Sequence, residues 1–305
     1  MRLLVRQFIR LALAVCPTYR GGIRIAQSTF GKSLATTANR SSNGHLVLAK
    51  LWHGGGMKIQ VDPNDYDGRS LYFWGANDRK ISWLCASLLR PGDTLLDIGA
   101  NFGPVGILAA RRVGPRGRVH CFEPPPQLAA SIRASATFNG LANLIVHPVA
   151  LSDRDVVLPL TIPPGHTGRA SLCPALGPGD SLPVPVRHAG DYLESLQLSD
   201  IRVIKLDVES HEEQVLHGAA EFLRATKPLA IVFESHDDGQ PLFDRGPARI
   251  LTSLGYDLFQ IRQRPLIRVQ LRALRTQNDV ETGYDFAACL RSRGVEELSR
   301  VCSIV

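Results

Sequence analysis

The stretch TLLDIGANFG, Thr94 to Gly103, limits the possible folds more than any other part of the chain. A short apolar run climbs to Asp97, and a loop carrying Gly99, Asn101 and Gly103 opens onto an alanine-rich apolar stretch from Pro104 to Arg112. That order predicts a buried strand, a tight turn and a helix start. Glycines there let backbone approach a ligand closely, and the helix start behind them offers unpaired N–H groups. Glu123, ending the next predicted strand, stands where nucleotide-type folds hold ribose hydroxyls. Loop and acid together predict a nucleoside-containing cofactor, although Gly99-x-Asn101-x-Gly103 is not the GxGxxG of a dinucleotide fold.

Downstream of the loop, strand and helix patterns alternate, the signature of a mostly parallel sheet with helices on both faces. Strands are expected at Arg118–Phe122, Leu144–His147, Ile201–Leu206 and Leu229–Phe233, with a final pair at Tyr256–Ile261 and Tyr284–Leu290. Helices fit Asp78–Leu89, Pro126–Asn139, Glu212–Leu223 and Asp244–Leu254. Met57–Val61 and the aromatic Leu71–Trp74 read as a short antiparallel pair around the turn-rich VDPNDYDG. The proline- and glycine-dense Pro159–His188 reads as a hairpin insertion beside the site. The domain expectation is an extension over 1–56, a main domain over 57–290 interrupted at 159–188, and a tail over 291–305.

At 305 residues and 44% hydrophobic content the chain can bury a full core. Its six cysteines form no CxxC pair, which argues against a disulfide framework or structural zinc and suits a cytoplasmic setting. The net charge of +7 is scattered and not interleaved with aromatics, so no nucleic-acid partner is expected. In MRLLVRQFIRLALAVC, Arg2, Arg6 and Arg10 recur every four residues, predicting a basic amphipathic helix for peripheral contact with an anionic membrane, or for docking on its own domain or a second subunit. Its apolar run is too short to span a bilayer.

In such a sheet ligands sit beyond the carboxyl ends of the strands. The residues selected there are Asp97, Glu123, Asp207 with Glu209, and Glu234 with His236. Asp207 and Glu209, two apart on an extended backbone, share a face. With Asp237 and Asp238 these side chains could gather oxygen ligands, but their spacing sets no coordination geometry, and no metal is assigned.

Five separated motifs, LLDIGANFG, HCFEP, the Asn139-Gly140 pair, VALSD and IKLDVESHEEQVLHGA, resemble the FkbM-type family of S-adenosylmethionine-dependent methyltransferases over about Met57 to Leu290. The resemblance implies an α/β, Rossmann-like class I methyltransferase fold, with a mostly parallel seven-stranded sheet and an antiparallel last strand, and S-adenosylmethionine as cofactor. It implies that Asp97, Gly99, Asn101 and Gly103 surround the methionine and adenosine parts, that Glu123 holds the ribose diol, and that Asn139, Ala150 and Leu151 border the adenine. The methyl group then points toward Asp207 and Glu209, and Glu209, His211, Glu234 and His236 compete as general base. Ser210 departs from the glycine usual in this motif, and Ser210-His211-Glu212-Glu213 fits a helix capping box.

The expected reaction is O-methylation of a hydroxyl on a sugar, a glycan or glycolipid, or a secondary metabolite, in a pocket built from Met57–Asp78 and the Pro159–His188 insertion. Two alternatives remain open at the level of sequence. One is a nicotinamide-dependent oxidoreductase, which would share Glu123. The other is a catalytically silent, membrane-associated binding module that keeps the fold.

Overall fold

The computed structural model describes residues 27–29, 31–33, 46–52, 55–173, 179–236, 239–264 and 268–305. The expected N-terminal basic helix lies outside the described residues. Among those described, no helix is long and apolar enough to cross a membrane.

The chain enters through an antiparallel ribbon of β1 (Val47–Lys50) and β2 (Lys58–Val61). Helix α1 (Tyr66–Trp74) follows. This corrects the expected strand at Leu71–Trp74. The Asp65 carboxylate caps the helix by accepting from the N–H groups of Asp67 and Gly68, and left-handed Gly75 ends it, so local capping outweighs the β preference of the aromatics. The strand partner of Lys58–Val61 comes from upstream instead.

Helix α2 (Arg79–Leu88), capped by Asp78, leads into β3 (Thr94–Ile98), α3 (Pro104–Val113), β4 (Arg118–Phe122), α4 (Pro126–Phe138) and β5 (Leu144–His147). A separate three-stranded sheet is formed by β6 (Ala150–Ser152), β7 (Val156–Ile162) and β8 (Asp180–His188), in the order β6-β8-β7. β7 and β8 pair antiparallel, as the hairpin reading expected.

The chain returns through α5 (Ala189–Ser195) to β9 (Ile201–Leu206), α6 (Glu212–Gly218), α7 (Ala220–Thr226), β10 (Ala230–Glu234), α8 (Gly246–Ser253) and β11 (Tyr256–Arg264). The last elements are β12 (Arg268–Leu274), β13 (Asp285–Leu290), α9 (Gly294–Ser299) and β14 (Ser303–Ile304).

The main sheet has nine strands in the order β14-β12-β11-β13-β10-β9-β3-β4-β5. Strands β10, β9, β3, β4 and β5 run parallel, and β13 inserts antiparallel between β10 and β11. The expected seven-stranded core is therefore present, widened by β12 and β14 at the β11 edge. Residues 291–305, expected as a tail, carry α9 and a strand paired in parallel with β12. The strand order reverses at β3, which lies between β4 and β9, and this places the ligand crevice at its carboxyl end.

Every residue of β3 is buried, because helices cover both faces of the sheet. Leu95 belongs to one buried apolar cluster with Leu84, Ile107 and Val119, and Leu96 to a second with Phe122, Leu216 and Phe233. Leu298 of α9 is 1% exposed and belongs to the first cluster. Leu298→Ala is expected to cost about 2–5 kcal/mol, as for other buried leucines, read as a lower urea midpoint. A change below about 0.5 kcal/mol, typical of exposed sites, would mean that this segment is not part of the core.

Candidate active site

The carboxyl ends of β3, β4, β9 and β10 open on a cavity of about 250 Å3. Its lining includes Asn101, Glu123, Asp207, Glu209 and Glu234, together with the apolar Val149, Ala150 and Leu151.

Part of its lining is a buried ionic cluster built around Lys205, which sequence reasoning missed. The Nζ of Lys205 sits 3.2 Å from Asp207 Oδ2 and 3.7 Å from Asp97 Oδ1, and it donates to the carbonyl of Gly99. Burial alone would lower the lysine pKa, but the carboxylates of Asp207 and Asp97 outweigh it and raise the pKa. A lysine inside the apolar strand IRVIKL was the available signal, since a buried ammonium needs partners.

Asp97 is fully buried and does not line the cavity. One carboxylate oxygen accepts from the Gly106 N–H at 2.9 Å and the other faces Lys205. Asp97, expected from sequence at the cofactor, here uses its oxygens to hold the first turn of α3 and the lysine. Gly103 is also behind the wall, where an added Cβ would press on Ile132 at 3.1 Å. Gly99 does line the cavity, but a Cβ there would stand 1.8 Å from the carbonyl oxygen of Asp207. The close approach that demands glycine is thus to strand β9's end.

Asn101 adopts a left-handed backbone (φ 51°), and its N–H donates to Glu123 Oε2 at 2.6 Å. Burial pushes the Glu123 carboxyl up to about 7, opposed by this bond. Asn139 falls outside the cavity: its amide donates to the Lys58 carbonyl and accepts from the Lys58 N–H, tying α4 to β2. Of the three residues expected to border the adenine, Ala150 and Leu151 are in the lining and Asn139 is not.

Asp207, Glu209 and Glu234 each bring a carboxylate oxygen within 4.8 Å of the other two. Burial first, then the Asp207 and Glu212 charges, push Glu209 up to about 8. Glu234 is raised well above the carboxylate range by burial and then by Asp207 and Asp285. His236 Nε2 lies 3.4 Å from Glu234 and 3.9 Å from Glu209 but is not in the lining. His211 is in the lining, with its Nε2 2.9 Å from Ser152 Oγ.

The capping box expected at Ser210 does not form. Glu209 (φ 52°) and Ser210 (φ 73°) are both left-handed, and α6 starts only at Glu212, without a side-chain cap. Glu212 reaches back to the Val208 N–H at 2.9 Å, and Glu213 pairs with Arg249. Ser171 Oγ donates to the Glu209 carbonyl at 2.6 Å, so the hairpin supports the strained turn.

The same hairpin closes the cavity from above. The Tyr66 N–H donates to the Gly165 carbonyl, and the Thr167 N–H donates to Asp65 at 2.6 Å. Gly168 sits against Asp67, where a Cβ would lie 1.9 Å from Oδ2. Asp67, also missed from sequence, lines the cavity and is pushed up to about 7 by burial and then by Asp65 and Asp207. Its place in a stretch read as a turn hid it.

Comparison with known proteins adds family information. A family model described as the methyltransferase FkbM domain matches residues 97–258. The 31-O-demethyl-FK506 methyltransferase FkbM of Streptomyces tacrolimicus is 27% identical over 179 residues, covering 49% of this chain and 67% of that protein. The 2-O-methyltransferase NoeI of Sinorhizobium fredii (strain NBRC 101917 / NGR234) is 27% identical over 206 residues, covering 57% and 76%. Among solved structures, a methyltransferase FkbM from Methylobacillus flagellatus superposes with a TM-score of 0.42 at 15% identity, covering 73% of this chain and 55% of that one.

Two substitutions test the local geometry. Ser210→Gly relieves a left-handed non-glycine residue and is expected to raise stability by about 1 kcal/mol, whereas Gly99→Ala should cost about 2 kcal/mol or more from strain and the Asp207 clash. Denaturant titration of both variants checks the signs. A destabilised Ser210→Gly or a neutral Gly99→Ala would contradict the backbone described.

Proposed function

The chain belongs to the FkbM family of S-adenosylmethionine-dependent methyltransferases, and we propose that it methylates a hydroxyl oxygen of a sugar, glycan, glycolipid or secondary metabolite. Membership in that family sets aside the nicotinamide-dependent alternative. The observation that carries the proposal is the single cavity whose lining brings Asn101 and Glu123 together with Asp207, Glu209 and Glu234.

The donor set fits the cofactor. One Glu123 oxygen is occupied by the Asn101 N–H, which leaves the carboxylate oriented to accept from a ribose diol. Asp207, partly exposed and steadied by Lys205, replaces Asp97 as the carboxylate offered to the methionine ammonium. Ala150 and Leu151 supply apolar wall for the adenine. When bound, the cofactor supplies a methyl group on a positively charged sulfur.

The remaining task is to orient the acceptor oxygen and take its proton. Glu209 is the proposed base. It lines the cavity, and a carboxyl lifted to about 8 is a stronger proton acceptor than an ordinary carboxylate. Glu234, raised above the carboxylate range by burial and then by Asp207, lies beside Glu209 in the lining. His211 is engaged with Ser152, and His236 stands behind the two glutamates as an orienting group. The apolar lining from Val149 to Leu151 and the hairpin above limit the access of water to the reacting oxygen.

The five described cysteines are free, which supports placement in the reducing cytoplasm. Peripheral membrane contact through the N-terminal segment stays part of the proposal, carried by its sequence alone.

The test begins with calorimetric titration of S-adenosylmethionine and S-adenosylhomocysteine, for which binding is expected and its absence would overturn the reading. Glu209→Gln should then lower kcat by about 10²–10⁴-fold while leaving cofactor affinity within about twofold, the mark of a group acting in the reaction step. Because the base works deprotonated, wild-type turnover should rise with pH through about 8 and then level off. Unchanged kcat in Glu209→Gln, or turnover that falls across this range, would remove Glu209 from the role.

A further inference from the structure

The charge balance of the cavity points to the kind of acceptor it takes. Among the described residues that line it are six carboxylates, Asp67, Asp78, Glu123, Asp207, Glu209 and Glu234, against one lysine and no arginine. Several of these acids are already committed. Asp207 is paired with Lys205, and Asp78 with Lys80, which also serves Asp285. Glu123 accepts from the Asn101 N–H and faces the proposed cofactor end.

Asp67, Glu209 and Glu234 are different. Asp67 accepts from neutral side-chain amides, that of Asn101 at 3.3 Å and that of Asn77, with His166 Nε2 3.7 Å away. The His166 ring is driven toward its neutral form by burial, so it is a poor counter-charge. Glu209 and Glu234 share the half-exposed imidazole of His236. Arg169 lowers the Glu209 pKa through its field but does not line the cavity. The carboxyl groups therefore crowd an enclosed space with little positive charge of its own. Burial and the repulsion of neighbouring acids disfavour their ionised forms and raise their pKa values.

A net-positive methyl donor relieves this only in part, since Asp207 already faces its ammonium in the reading above. We propose that the acceptor is a hydroxyl compound carrying a protonated amine, of the amino-sugar or amino-alcohol class, whose ammonium is held by Glu234 and Asp67 beside the reacting hydroxyl at Glu209. This deepens the methyltransferase reading and rests on it. The same arrangement disfavours acceptors bearing phosphate or carboxylate groups, which would bring like charge against Asp67, Glu209 and Glu234 at short range.

The test uses the full chain loaded with S-adenosylhomocysteine, in buffer with a chelator so that no divalent cation settles among Asp207, Glu209 and Glu234. Three probes of matched shape are titrated: a methyl glucosaminide, a methyl glucoside and a methyl glucuronide. The amine is expected to bind at least about tenfold more tightly than the neutral glycoside, a difference of 1.4 kcal/mol, and the uronide more weakly than either. Amine binding at pH 7 should also release protons, seen as a dependence of the heat on buffer ionisation. Glu234→Gln should reduce the amine preference without removing binding of S-adenosylhomocysteine.

No binding of the amine, equal binding of amine and neutral glycoside, uronide binding as tight as the amine, or an amine preference unchanged in Glu234→Gln would each overturn this inference. Failure of S-adenosylhomocysteine itself to bind would instead overturn the methyltransferase reading, so the two failures are told apart.

Discussion

The site depends on one buried ammonium. Lys205 joins Asp97 under β3, Asp207 at the end of β9 and the carbonyl of Gly99 in the loop between β3 and α3. Three backbone segments are thereby held to one charged point inside an apolar sheet. Such a cluster tolerates no missing member, because removing one partner leaves an uncompensated buried charge, at a cost of about 3–5 kcal/mol. The fit is tightened by contact: Gly99 can lie against the Asp207 carbonyl only without a Cβ, and the Asp207 N–H donates to the Ile98 carbonyl at 3.1 Å. The wall carrying Asp207 and Glu209 is thus positioned by the same group that positions the loop.

That dependence explains which parts of the architecture were legible in the sequence. Buried parallel strands must be apolar throughout, so β3, β4, β5, β9 and β10 stood out, and the glycine-rich loop marked the switch point. Helix α1 did not stand out, because its aromatic residues favour strand while its folding is decided by the Asp65 cap and by the docking of Gly165 and Thr167. Strand β12 was missed for a related reason. In RVQLRAL, Val269, Leu271 and Ala273 pack inward between polar neighbours, a short alternation next to arginines that reads as loop until the β11 partner is known.

For the site, residue type was easier to read than direction. The strand-end acids were recognised, and the cavity gathers Glu123, Asp207, Glu209 and Glu234. Asp97 and Asn139 carried the same kind of signal, yet one points into the core toward Lys205 and the other clasps β2. Which way a polar side chain faces is set by partners distant in sequence. Ser210 makes the point from the backbone side. Its spacing suited a capping box, but the turn after Glu209 needs two left-handed residues, and that requirement prevails over the local capping preference.

In the proposed mechanism the carboxylate-lined cavity brings a hydroxyl to a methyl donor and Glu209 takes its proton. The central claim is transfer of the methyl group to oxygen. The most direct measurement is carbon-13 NMR of the product formed from S-adenosylmethionine labelled at the methyl carbon, with an extract of hydroxylated metabolites and amino sugars as acceptors. The account predicts a new methoxy carbon resonance that is lost in Glu209→Gln. Label appearing on nitrogen or carbon, or no transferred label from a protein that binds the cofactor, would contradict it.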